Sequence, residues 1–235
     1  MTSMSPSIVL PLEEMHLKNL PPGRQCCIVA PCSLAKQLDR QILSRGEQER
    51  LCRFRRKEDF DRYLTAHSLL RVILGQILGR CARDITFVDG EGNKPLLSDG
   101  SCHFNLSHSG DWVAIIVSLD GPVGIDVEQA LPGKAQISPD LYAHPNDRFH
   151  PAAAGTDISR FFTAWTLKEA ISKCDGRGLG IPFNEVRLEP DKGNTYRGFY
   201  DCRTWHASHW ILDDGTHLAH AGEVPCSTLN IIVAG

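Results

Sequence analysis

The chain has 235 residues, of which 42% are hydrophobic and 23% charged, enough for one large cored domain or two small ones. Its 25 Lys and Arg against 28 Asp and Glu leave a formal net charge of −3, with no basic footprint for nucleic acid and no strongly acidic tail. Nothing approaches a transmembrane span, and nine cysteines with no C-x-x-C pair, behind an amino terminus with no basic n-region, predict reduced thiols in a cytoplasmic protein.

Residues 1 to 32 mix prolines, cysteines and short apolar runs, with an early strand at Cys26–Ala30. From Leu34 to Leu78 the pattern is helical and rich in arginine; Leu70, Leu74, Ile77 and Leu78 recur at helical spacing and Gly79 is the expected stop. DITFVDGEGNKPLL reads as a strand, a glycine-rich turn and a short extended piece. The next 27 residues, from Cys102 to Glu128, are the most strand-like, and Asp120-Gly121 predicts a tight antiparallel connection. Residues 130 to 158 are loop-like, and Thr156 or Asp157 caps a helix that runs on past Cys174. The tail alternates short β-like runs with turns and closes on the strand TLNIIVAG. Two α+β halves, 1–121 and 122–235, fit this order better than alternating βαβ units.

Within PVGIDVEQ, residues 122 to 129, Val123, Ile125 and Val127 alternate with Gly124, Asp126 and Glu128. A strand therefore carries Asp126 and Glu128 side by side on one face, where like charges repel. On the helix, Ala164, Leu167, Ile171 and Cys174 form an apolar stripe, while Trp165, Glu169 and Lys173 follow at i, i+4, i+8 on another side with Phe162. If the helix packs beside the strand, Asp126, Glu128 and Glu169 converge. Oxygen-only ligands suit Mg²⁺, which would relieve the repulsion and anchor a phosphate.

NKP, FNLSHSG, VGIDVE and WTLKEAISK, in that order, resemble the motifs of the Sfp-type 4′-phosphopantetheinyl transferases. The family's (V/I)-G-(I/V)-D-x-E is met by Val123 to Glu128, and its W-(S/T/A)-x-K-E-(A/S)-x-x-K by Trp165 to Lys173. The resemblance, spanning roughly residues 45 to 185, implies that family's fold, with two pseudo-symmetric α+β halves binding coenzyme A and Mg²⁺ between them. It implies a monomer, free of nucleic acid and membrane, that moves the phosphopantetheine arm to a serine of an acyl or peptidyl carrier protein and releases adenosine 3′,5′-bisphosphate. Asp126, Glu128 and Glu169 would hold the metal, and Lys173 would meet the pyrophosphate and the leaving group. Glu169 or a water would take the serine proton. Ser107 and His108 would touch the nucleotide, Lys94 and Pro95 its adenine side, and Arg62 the 3′-phosphate.

Two positions depart from the family: Asn93 replaces the glycine before Lys-Pro, and Glu47 falls where some members have a lysine at the 3′-phosphate, with Arg50 keeping the second basic place. Ser107-His108 lacks the G-x-S-x-G elbow of a hydrolase. His206, His209, His217 and His220 have no thiol or carboxylate company and read as surface histidines rather than a zinc site. The rival readings are a carrier synthase restricted to fatty-acid synthesis, a non-catalytic coenzyme A or carrier-docking module, and a metal-dependent nucleotide hydrolase.

Overall fold

The computed structural model describes residues 7–11, 14, 15, 17, 18, 20–90, 94–131, 137–150, 156–225 and 227–234. The Asn93 turn lies outside them. Two compact units are present, one of Pro6–Asp120 with Ser227–Gly235, the other built on Gly121–Cys226.

The first unit begins with β1 (Ser7–Pro11), β2 (Arg24–Pro31), α1 (Arg45–Leu51) and α2 (Lys57–Leu78), then β3 (Phe87–Asp89), β4 (Pro95–Leu97), β5 (His103–Ser109) and β6 (Trp112–Ser118). The single helical stretch expected from Leu34 to Leu78 is instead two 3₁₀ turns and two helices. Ser44 and Glu47 close a reciprocal capping box that starts α1 afresh, and Gly79, at φ 65°, stops α2 where the sequence placed the stop. Leu69, Leu70, Ile73 and Leu74 of α2 are fully buried in one cluster with Ile28 of β2 and Ile115 and Val117 of β6.

Asp120-Gly121 does not make the expected hairpin. The tight turn is Gly110-Asp111, joining β5 to β6 with Ser109 opposite Trp112, and Gly110 takes a φ of 54° there. Both edges of β6 are already taken, by β5 and by β2, so no edge remains for the strand after Gly121. That dipeptide is where the chain passes from one unit to the other.

The second unit contains β7 (Val123–Glu128), α3 (Pro139–Tyr142), α4 (Asp157–Asp175), β8 (Arg187–Pro190), β9 (Thr195–Tyr200), β10 (Arg203–Ile211) and β11 (His217–Gly222). Its sheet runs β7-β11-β10-β9-β8, every pair antiparallel. Thr156 Oγ1 accepts the Ser159 amide and caps α4, and Gly176, at φ 94°, ends it. Ala164, Leu167, Ile171 and Cys174, the predicted stripe, are buried with Trp205 and Ala207 of β10 and Ala219 and Ala221 of β11.

The last strand, β12 (Ser227–Ala234), departs from the predicted 122–235 half. It lies parallel between β1 and β2 and completes the first unit's sheet in the order β1-β12-β2-β6-β5. Its second half, Ile231-Ile232-Val233-Ala234, is a continuous apolar run that suits a strand with a neighbour on each side, and that sheet offers both. Each unit thus sets a long helix on a five-stranded sheet, the α+β composition read from the sequence.

Three of the four tail histidines are not on the surface. His209, His217 and His220 are 5%, 3% and 4% exposed, because β10 and β11 are interior strands of their sheet. His209 and His217 bond each other through Nε2 and Nδ1 at 3.0 Å. Burial lowers His217 and His220 to about 4. Among the described residues no helix is long and apolar enough to cross a membrane.

Candidate active site

The second unit gathers the carboxylates through one close approach. A Cβ at Gly124 would collide with the Ala170 carbonyl oxygen and the Cys174 amide nitrogen, so only glycine lets α4 lie this near β7. Across the sheet, Gly124 and Asp126 face Ala221 and Ala219, small residues that leave the helix the same room. Asp126 and Glu128 share the Gly124 face by alternation, and they therefore look towards α4. Glu128 sits opposite His217 on β11.

On α4, Glu169 and Lys173 are half-buried, with side chains 23% and 25% exposed. Lys173 Nζ stands 2.7 Å from Asp126 Oδ1 and 3.9 Å from Glu169 Oε2. Asp126 is 2% exposed. Burial drives its carboxyl up to about 7; Lys173 opposes the rise, while the charges of Glu169 and Glu128 add to it. Four of the predicted residues are thus electrostatic neighbours. Among the described residues, however, no group of three or more His, Cys, Asp or Glu forms a ready-made metal cage.

The first unit holds a cavity of about 940 Å³ whose walls include Arg50, Arg62, Lys94, Pro95 and His108. Ser107 is not in its wall: it is buried on the other face of β5 from His108, as alternation requires. Arg62 donates to Asp59 Oδ1 at 2.8 Å and to the Gly110 carbonyl at 3.1 Å. Trp165 and Phe162 pack against Phe161, and Trp165 also against Phe183.

Two polar hubs escaped the sequence reading. Glu47 accepts from Arg71 Nη2 at 2.7 Å and meets His67 Nδ1 at 3.2 Å in the cavity wall. Burial would raise its carboxyl, but the bonds from His67 and Ser44 and the charge of Arg71 bring it down to about 2. Tyr63, His67 and Arg71 follow at i, i+4, i+8 on α2, the same spacing that singled out Trp165, Glu169 and Lys173. The second hub is Lys168 with Asp147, at 2.6 Å and 0% and 6% exposed. Its only sequence signal is a lysine directly after the buried Leu167, within the WTLKEAISK run.

Residues 122–228 match the family model described as the 4′-phosphopantetheinyl transferase superfamily, and residues 31–119 match that for the N-terminal part of a 4′-phosphopantetheinyl transferase. The chain is 34% identical over 163 residues to the 4′-phosphopantetheinyl transferase Sfp of Bacillus subtilis, covering 64% of this chain and 68% of that protein. It is 32% identical over 155 residues to the 4′-phosphopantetheinyl transferase gsp of Aneurinibacillus migulanus, covering 65% of this chain and just under two thirds, 64%, of that protein. The L-aminoadipate-semialdehyde dehydrogenase-phosphopantetheinyl transferase of Xenopus laevis is 27% identical over 228 residues, 85% of this chain and 75% of the relative.

Proposed function

We propose that this chain, which belongs to the 4′-phosphopantetheinyl transferase superfamily, moves the phosphopantetheine arm of coenzyme A to a serine of an apo acyl or peptidyl carrier protein. The observation that carries this reading is the second-unit cluster, where one ammonium and three carboxylates are brought together by the Gly124 contact.

The serine oxygen attacks the phosphorus that bears the pantetheine arm, and the bond from that phosphorus to the bridging oxygen breaks. The electron pair leaves with adenosine 3′,5′-bisphosphate, and the serine proton passes to Glu169 or to water. Such a transfer asks a protein for in-line placement and charge neutralisation rather than for a nucleophile of its own. Lys173, on the helix face beside the carboxylates, supplies positive charge for the departing phosphate.

The donor set fits Mg²⁺ chemically. It is oxygen-only and anionic, and Asp126 already takes a cation in the form of the Lys173 ammonium. Asp126, Glu128 and Glu169 would hold the ion, drawing together from positions that do not form a cage beforehand. When bound, it would neutralise the carboxylates and polarise a phosphoryl oxygen. In the first unit, the cavity with Arg50, Arg62, Lys94 and His108 would receive the anionic nucleotide end of coenzyme A.

The test is chromatographic: adenosine 3′,5′-bisphosphate is measured after coenzyme A is incubated with the protein and Mg²⁺, with and without apo carrier. Release only in the presence of carrier is expected. Equal release without carrier would mean a hydrolase, and none under either condition would mean a docking module.

A further inference from the structure

Between β7 and α4 runs a connection whose described part includes α3 and residues 143–150. Asp147 organises it. Its Oδ1 accepts the Leu188 amide of β8 at 2.8 Å, and its Oδ2 accepts the His144 amide at 3.0 Å. The Arg148 amide donates to the Leu188 carbonyl at 2.9 Å, so the connection is stitched to the far edge strand of the sheet. Lys168 reaches into this hub from α4, its Nζ donating to Asp147 Oδ2 at 2.6 Å and to the Tyr142 carbonyl at 2.8 Å.

A fully buried ammonium is costly to keep, and the same volume filled by an apolar chain would serve simple packing as well or better. What the charge adds is direction. Neighbouring positions on a helix lie about 100° apart, so tying Lys168 to a fixed point sets the bearing of Glu169 and, one turn on, of Lys173. The Gly124 contact at Ala170 and Cys174 and the apolar stripe hold α4 on the sheet side, and the Lys168 tie adds a polar fixed point on another side of the helix. Tyr142 packing edge-on to Phe161 at 4.8 Å lies on the anchored side and offers only apolar, slidable contact.

We infer that Lys168 and Asp147 are a positioning pair that fixes the roll of α4 and thereby aims Glu169 and Lys173 at their partners on β7. This rests on the reading of Glu169 as a cation ligand. Neither residue touches substrate; both act through the helix.

The test compares the full chain with Lys168→Met, Lys168→Arg and the double variant Lys168→Met/Asp147→Asn, in which both charges go together and the acceptor for the Leu188 amide stays. Mn²⁺ binding is read by electron paramagnetic resonance without coenzyme A or carrier, alongside thermal unfolding and transfer kinetics. Lys168→Met should bind Mn²⁺ about tenfold more weakly and lose about tenfold in kcat, as outer supports of a metal site do, with the KM for coenzyme A within about twofold. Lys168→Arg should recover most of both. The double variant should regain the melting temperature but not Mn²⁺ affinity or kcat; it carries the test if Lys168→Met alone fails to fold. Mn²⁺ affinity and kcat returning together with stability in the double variant would overturn the inference, as would an unchanged Lys168→Met. A wild type that binds no Mn²⁺ overturns the cation reading itself, and the positioning claim with it.

Discussion

At Asp126 a single flexible ammonium, 2.7 Å away, does what a divalent ion would do when bound. On the proposed reading, Lys173 and the ion would compete for one carboxylate. Lys173→Met should lower kcat while tightening Mn²⁺ binding by about fivefold, as expected when about 1 kcal/mol of competing ion pairing is removed; weaker Mn²⁺ binding in that variant would mean the lysine supports the site instead. His220 makes a different residue-scale prediction. Its two ring nitrogens have no hydrogen-bond partner among the described residues, its ring lies 4.9 Å from that of Trp210, and burial holds it at about 4. The unfolded chain takes up a proton near the ordinary value of 6.5, and the folded chain resists until about 4. Its contribution to stability is therefore complete above that ordinary value and is lost as pH falls towards 4. His220→Phe should make the loss in unfolding free energy between pH 7.5 and pH 5 smaller by about 2 kcal/mol, read from urea melts at both pH values; an unchanged pH slope would contradict it. The paired carboxylates were legible from two-residue alternation, and Glu169 and Lys173 from helical spacing. The Lys168–Asp147 pair was not, because its partners are 21 residues apart and nothing local marks them.

Among elements, α4 and β7 carry the proposed site, and Gly124 sets their spacing. Gly124→Ala would force a Cβ into the α4 backbone, and backbone cannot step aside as a side-chain tip can. We expect a loss of about 3 kcal/mol or more in stability, with cation binding lost at temperatures where the variant is still folded; a melting temperature within about 2 °C of wild type would show that the helix is free to retreat. The ends of α4 were readable because Thr156 and Gly176 act locally. So was the stop at Gly79. The hairpin expected at Asp120-Gly121 failed for a non-local reason: which strand edge is free depends on β2, some ninety residues upstream. The buried histidines were misread in the same way, since a strand of mixed polarity looks like an edge until its neighbours are known.

For the whole molecule, the sequence conveyed two α+β halves and the crossing near residue 121, while the return of β12 to the first unit depended on pairing across the length of the chain. The family membership rests on matches in both parts of the chain, 31–119 and 122–228, and the residues proposed for nucleotide and metal divide along the same line. Neither part contains by itself all the residues that the proposed transfer uses, which makes the modified carrier the most direct readout of the whole. The measurement is the intact mass of an apo carrier protein after incubation with this protein, coenzyme A and Mg²⁺, with an EDTA control. A gain of one phosphopantetheine group that EDTA abolishes is the predicted result. An unchanged mass across both acyl and peptidyl carriers, with coenzyme A still bound, would contradict it.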